Sequence, residues 1–200
     1  MCELKRLFKR HIEENLIKYV MILSLLAVGF LLGFVFSKRI SAELSEGLSH
    51  DIGGLMEDFS EGNFDKLKIL KTSFLKNLRI TLFIFLGGLS VWLLPISFVT
   101  LLSYGFSLGF TMGYLAMNFG GRGLGIAISS IIFVLLINIP LYIILGVVAI
   151  NNSKYKKRGR SSDGNFGVYA VIFGFIFLIS LISVVTDAFL VPMIIGLICS

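Results

Sequence analysis

The chain of 200 residues has little cysteine and little histidine, and each shortage excludes a class of site. The only cysteines, Cys2 and Cys199, lie at opposite ends of the chain, so they cannot form a disulfide framework or a cysteine-rich zinc site. The only histidines are His11 and His50. They lie before and after the first predicted membrane span, on opposite faces of the membrane, which argues against a histidine metal cluster and against a Ser–His–Asp triad.

Charge is missing over long stretches, and this absence defines the class of protein. No charged residue occurs among the 42 residues between Arg79 and Arg122. A helix crosses the hydrocarbon layer of a bilayer, about 30 Å thick, in about 20 residues, so this stretch is long enough for two crossings. The apolar fraction is 56% and the mean hydropathy is +0.92. Runs of this length predict an all-α bundle of membrane helices rather than a barrel of short alternating strands.

Five membrane spans are predicted from the apolar runs and the residues that interrupt them. Pro95 lacks an N–H group and restricts the residue before it, so it is predicted to end the second span. After Asp187, 13 uncharged residues are interrupted by Pro192, and they can either extend the fifth helix or fold back along the interface. The predicted spans are residues 19–36, 80–94, 98–119, 124–150 and 166–185.

The basic residues predict the orientation, with the N-terminus inside and the C-terminus outside. Segments 1–18 and 151–165 hold clusters of Lys and Arg and lie on one side of a five-span bundle. That side is cytoplasmic by the positive-inside rule. An extra re-entrant pass near Pro95 would reverse the later spans. The formal charge of +6 is explained by these flanking clusters, so anionic lipids are the expected partner and nucleic acid is not.

Residues 37–79 are predicted to form an extracytoplasmic, amphipathic helical loop between spans 1 and 2. Apolar residues recur there at helical spacing, acidic residues dominate its first part and basic residues its second. Two interpretations are compatible: a hairpin that lies on the outer leaflet, and a docking surface for an extracytoplasmic partner. The candidate partner-contact residues are Leu55, Phe59, Phe64 and Lys66, together with Asp187 and Pro192 beyond the fifth span.

Glycines recur at every fourth position in two predicted spans and are candidates for helix packing. Such spacing gives a flat stripe along which a second helix can approach closely. The stripe can serve packing inside the chain or association with a partner, including a homo-oligomer. These glycines are Gly29 and Gly33 in span 1 and Gly105, Gly109 and Gly113 in span 3.

Few residues in the predicted spans carry chemistry. Asp187 is either interfacial, at the end of the fifth helix, or buried and paired with another group. Asn138 and Pro140 interrupt span 4, and the kink expected there should face the bundle interior. No catalytic residues, cofactor site or metal site are predicted, so the chain is not expected to be an enzyme.

Three segments resemble the stage II sporulation protein M family. They are residues 105–115 (GFSLGFTMGYL), Ile139 with Pro140, and residues 187–192 (DAFLVP), and the likeness extends over about residues 10–200. The family typically shows Gly-Phe-x-x-Gly-Phe-Thr-x-Gly-Phe-Leu and an acidic-Ala-Phe-x-Thr-Pro ending. This chain departs from the pattern at Val191, where threonine is typical, at Asp187, where glutamate is commoner, and in residues 133–135 (FVL), where a polar Pro-Gln/His-Asn element is typical.

The resemblance implies a non-enzymatic membrane scaffold for engulfment during endospore formation. It implies a place in the mother-cell septal membrane and the recruitment of two peptidoglycan-degrading partners, stage II sporulation proteins P and D. The alternative is a small membrane transporter or permease subunit. That alternative predicts a continuous polar path near Ser129, Ser130, Asn138 and Asp187.

Overall fold

The fold consists of long helices, seen in a computed structural model that describes residues 2–40, 47–48, 54, 66–118, 136–153 and 163–199. No strand occurs in these ranges. We number the helices in chain order, and α4 is described only from residue 136. They are α1 (Cys2–Ser37), α2 (Lys66–Gly88), α3 (Leu94–Asn118), α4 (Leu136–Ser153) and α5 (Asp163–Cys199).

Four segments of these helices are long and apolar enough to cross a membrane. Within the described ranges they are Glu13–Ser37, Val91–Asn118, Leu136–Ser153 and Gly167–Thr186. The helix left out is α2, whose sequence carries five Lys and Arg residues. Composition alone therefore supports four crossings, and the place of α2 depends on how the helices pack.

The packing of α1 against α3 makes α2 a fifth crossing. These two helices run parallel, because Leu26 faces Gly105, Phe30 faces Gly109 and Ser37 faces Gly113. Each therefore passes from the Lys18 end of the bundle to the Ser37 end. The chain leaves α1 at the Ser37 end and enters α3 at the Lys18 end, so α2 must carry it back through the layer.

The Lys18 end is defined by polar contacts that join α1, α2 and α4. Lys18 donates hydrogen bonds from Nζ to the side-chain oxygens of Asn15, at 2.6 Å, and of Asn151. Asn152 donates from Nδ2 to the Gly88 carbonyl at 2.9 Å. Just before α3, Trp92 is 91% exposed near this end, where aromatic side chains commonly lie at a membrane interface.

The start of α5 lies at the same end. Tyr169 donates a hydrogen bond to the Phe85 carbonyl at 2.8 Å, and the two rings stack with centroids 5.0 Å apart. Helices α1, α3 and α5 therefore run away from the Lys18 end, while α2 and α4 run towards it. The result is the predicted all-α bundle, with an odd number of passes.

The second predicted span, residues 80–94, is wrong in its boundaries. Helix α2 begins at Lys66 and ends at Gly88, and the break falls at Leu89 and Ser90 rather than at Pro95. Ser90 is extended (φ −151°, ψ 152°), and a short 3₁₀ turn over Val91–Leu93 leads into α3. Pro95 lies in the first turn of α3, where a missing N–H costs no hydrogen bond. Residues 66–79, the second part of the helical loop predicted over residues 37–79, therefore form the first part of α2.

The fifth helix is longer than predicted. Helix α5 continues through Pro192 to Cys199, so the residues after Asp187 extend the helix and do not fold back along the interface. The first predicted span lies within α1, and the third overlaps α3. Residues 124–135 of the fourth predicted span lie outside the described part of the chain.

A closed apolar layer forms the core nearest the Lys18 end. It combines side chains from α1, α2, α3 and α4 that are all fully buried: Ile22, Ile84, Leu101 and Leu145. Gly146 allows close packing here, since a Cβ atom at this position would lie 2.7 Å from Cδ1 of Ile22. Large apolar residues cover the outside of the bundle, as expected for a surface that faces lipid.

The odd number of passes gives a direct test with the two natural cysteines. In intact cells, a membrane-impermeant maleimide is expected to label Cys199 and not Cys2. Permeabilised cells should show labelling of both and serve as the control. Equal protection or equal labelling of the two cysteines in intact cells would contradict the topology.

Candidate functional site

The glycine stripe lies at the contact between α1 and α3. The nearest atoms of the opposite helix are mostly backbone atoms, so little can shift to make room for a side chain. A Cβ atom at Gly109 would lie 2.7 Å from the carbonyl carbon of Phe30, and one at Gly33 would lie 2.8 Å from the Phe110 nitrogen. Gly29 and Gly105 likewise face backbone, and Gly113 faces the side chains of Ser37 and Phe34. The structure thus places all five predicted packing glycines in one interface inside the chain.

A cluster of polar side chains joins α2, α4 and α5 within the bundle. The hydroxyl of Tyr142 donates to Oδ1 of Asn77 at 2.7 Å, and Nδ2 of Asn77 donates to the Ser180 carbonyl at 3.3 Å. One turn away on α4, Nδ2 of Asn138 donates to Oγ of Ser183 at 2.7 Å. We call these five residues the polar cluster, and all of them are buried.

The polar cluster lies near the middle of the layer that the helices cross. Lys18 and Lys38 are 20 residues apart and mark a layer of about 30 Å along α1. Asn77 is 11 residues before Gly88, and so lies about 16 Å from the Lys18 end. In lipid an unsatisfied polar group is costly, which explains why the cluster side chains hydrogen-bond to each other.

Two buried polar atoms beside these bonds have no hydrogen-bond partner within the described residues. They are Oδ1 of Asn138 and Oγ1 of Thr81, which lies one helical turn from Asn77. Tyr104 adds an aromatic wall, its ring meeting that of Tyr142 edge to face at 4.9 Å. The cluster can thus hold helices in register, but it contains no carboxylate or imidazole that could move a proton.

An open groove of about 830 Å³ runs between α2 and α3 on the outside of the bundle. Apolar side chains line much of it, including Phe83 and Val99. Lys76 and Arg79 also line it, and both are exposed. On insertion scales, a Lys or Arg at the centre of a spanning helix costs about 2.5–3.5 kcal/mol. Two such cations within one turn of α2 are therefore a feature that the bundle itself does not explain.

The remaining predicted site residues are only partly described. Leu55, Phe59 and Phe64 lie outside the described residues, so their role as partner contacts stays a prediction. Lys66 is the first residue of α2, and Asp187 and Pro192 lie within α5. On α4, Asn138 is buried and Pro140 is exposed, so only the first of the two faces the interior.

Sequence reasoning singled out Asn138 but missed its four neighbours in the cluster. Asn77 lies between Lys76 and Arg79 in the sequence, and this basic surrounding predicts a water-exposed segment. Tyr142 follows Asn138 by four residues, so the two share one face of α4, and that spacing is a signal that could have pointed to it. Ser180 and Ser183 are common residues in a membrane helix and carry no signal of their own.

A protein metal site usually needs several His, Cys, Asp or Glu side chains close together. No group of three or more His, Cys, Asp or Glu side chains converges within the described ranges. The features found within these ranges are the glycine stripe between α1 and α3, the polar cluster and the groove lined by Lys76 and Arg79.

Comparison with known proteins gives one result. The family model described as stage II sporulation protein M matches residues 22–192, a range that begins within α1 and ends within α5. No curated protein and no solved structure shows a significant match. The matched range covers well over half of the chain and includes the polar cluster, the groove and the glycine stripe. The chain therefore belongs to the stage II sporulation protein M family, a family of sporulation membrane proteins.

Proposed function

We propose that this protein is a non-enzymatic membrane scaffold that recruits peptidoglycan-degrading partners, stage II sporulation proteins P and D, during engulfment. It would act in the mother-cell septal membrane of the developing endospore. The family match over residues 22–192 is the observation that carries the proposal. The segment between α1 and α2 is the candidate recruiting surface, since it lies on the outer side in the predicted orientation and holds Leu55, Phe59 and Phe64.

The closed apolar layer favours the scaffold over a transporter. A transporter needs a continuous polar path past Asn138 towards both faces of the membrane. Between the polar cluster and the Lys18 end, the described residues instead form the layer of Ile22, Ile84, Leu101 and Leu145, which water does not reach. This layer supports a bundle that is held together rather than one that conducts.

Replacement of the outer loop tests the proposal. We expect that exchanging residues 40–65 for a Gly/Ser linker of the same length abolishes the septal recruitment of both partners, because the linker keeps the reach but removes the contact surface. Fluorescent fusions of the partners in sporulating cells measure recruitment. Membrane insertion, measured by the labelling of Cys199, should stay unchanged.

A sharper variant changes only the apolar candidates, as Leu55→Ser, Phe59→Ser and Phe64→Ser together. Its matched control is Ser45→Gly, Ser49→Gly and Ser60→Gly, which alters the same loop without removing apolar surface. Recruitment should fail in the first variant and persist in the control. Normal partner localisation after the complete loop replacement would contradict the proposal.

A further inference from the structure

The groove between α2 and α3 combines two cations with a row of small hydroxyl side chains. Lys76 and Arg79 come from α2, and Thr100, Ser103 and Ser107 come from α3. Ser103 and Ser107 are exposed and one helical turn apart, so they let another helix approach α3 closely and can hydrogen-bond to it. The groove is open along its length to whatever lies beside the bundle.

The depth of the two cations limits what can pair with them. Counted from Gly88 at the Lys18 end, Arg79 lies about 14 Å and Lys76 about 18 Å along α2. The layer is about 30 Å thick, so the two residues lie on either side of its midplane. Phospholipid head groups begin about 15 Å from that midplane, and an extended side chain spans only part of the distance.

The described helices supply no carboxylate beside these two cations. The sequence has no Asp or Glu between Glu14 and Glu43, or between Asp65 and Asp163. Asp187 is 18 residues beyond Tyr169, so it lies about 27 Å from the Lys18 end, near the opposite interface. Neither Lys76 nor Arg79 has an ion-pair partner in the described part of the chain. A second copy carries the same helices with the same shortage, which favours a different protein as the source of the anion.

We propose that the groove holds a transmembrane helix of a partner protein, and that this helix carries a carboxylate near its centre which pairs with Lys76 and Arg79. Buried charges in a membrane are tolerated when they pair with one another, and here each partner would remove the cost of the other. The inference rests on the proposed function in one respect: a recruited partner must have a membrane-spanning helix. It adds a second recruiting site, inside the membrane, to the outer loop.

A model helix tests the pairing without any sporulation partner. The purified full-length chain is placed in phosphatidylcholine vesicles with a fluorescent single-span helix of leucine and alanine that carries one central Asp. The matched probe carries Asn instead, and energy transfer to the labelled chain measures binding. We expect the Asp helix to bind about ten-fold more tightly than the Asn helix.

Charge removal on α2 decides whether the preference comes from the groove. The double variant Lys76→Gln/Arg79→Gln should lose the preference for the Asp helix. The control Lys68→Gln/Lys71→Gln removes the same amount of charge from α2, but nearer the Ser37 end. This control should keep the preference for the Asp helix. An equal affinity for both helices in the unchanged chain, or a preference that survives Lys76→Gln/Arg79→Gln, overturns the proposal.

Two further measurements keep the outcome decisive. If the double variant does not accumulate, Arg79→Glu is tested with a probe helix that carries a central Lys. Tighter binding of the Lys helix than of the Asn helix supports the pairing, and equal binding of the two overturns it. Adding phosphatidylglycerol to the vesicles should leave the Asp preference in place, and its abolition would identify the groove as a lipid site instead. Because the probe helix belongs to no sporulation protein, a failure here is distinct from a failure of the loop replacement.

Discussion

Replacing Gly109 by leucine is expected to prevent α1 and α3 from packing and to remove most of the folded protein. A Cβ atom alone would overlap the backbone of Phe30, and backbone atoms cannot rotate out of the way as a side chain can. Overpacking a close-packed interior typically costs about 1–3 kcal/mol and occasionally more, and a contact with backbone belongs at the upper end. The midpoint of thermal unfolding of the purified protein in detergent, followed by size-exclusion chromatography, measures the effect.

The control for this substitution is Gly174→Leu. Gly174 lies in α5 within an apolar membrane segment, and a Cβ atom there would meet nothing within 4 Å. The same side chain is thus added to the same type of helix without a collision, so this variant should behave like the unchanged protein. If Gly109→Leu does not accumulate, Gly109→Ala gives a smaller measurable loss. Equal midpoints for the variants at positions 109 and 174 would show that this interface does not hold the bundle together.

Replacing Asn77 by leucine is expected to destabilise the bundle by about 1–2 kcal/mol, the second largest effect of a single substitution. Leucine has nearly the same size, so packing is retained while two hydrogen bonds are lost, one from the Tyr142 hydroxyl and one to the Ser180 carbonyl. The tyrosine hydroxyl then remains buried near the midplane without its acceptor. Unfolding of the purified protein in detergent, monitored by the fluorescence of Trp92, measures the loss.

A double-mutant cycle isolates the bond between Asn77 and Tyr142. Tyr142→Phe removes the same hydrogen bond that Asn77→Leu removes, so the double variant should be more stable than the sum of the two single effects predicts. The matched control pairs Asn77→Leu with Thr100→Val. Among the described residues, Thr100 hydrogen-bonds within its own helix, to the carbonyl of Ile96, so these two changes should add. Additivity in the first cycle would show that the polar cluster contributes no coupling.

The predictable part of the fold followed from the charge-free runs and the glycine spacing. Residues between Arg79 and Arg122 had to lie in lipid, because no soluble domain needs so long a stretch without charge. Gly105 and Gly109, one turn apart, had to form a flat face, because helical geometry puts every fourth residue on one side. Neither inference required knowledge of which helices meet.

The boundaries of α2 could not be predicted, because local composition argued against them. From their charge, Lys76 and Arg79 were predicted to lie outside the membrane, and Pro95 was predicted to end a span. Packing overrides both signals: parallel α1 and α3 require a return pass, and Pro95 fits the first turn of the next helix. The cluster of Asn77, Tyr142 and Ser180 was equally hidden, since its members are far apart in the sequence and no local pattern joins them.

That this protein is an all-helical membrane bundle could be predicted from the amino-acid sequence, because the free energy of transfer into lipid depends on composition and length, which are local properties. The family also followed from the sequence, through motifs such as residues 105–115. Tertiary packing was needed to show that α1 and α3 run parallel, that α2 returns the chain along the bundle with Lys76 and Arg79 on its outer face, and that Asn77 bonds to Tyr142. These features depend on contacts between residues distant in the chain, and such contacts exist only once the helices have packed.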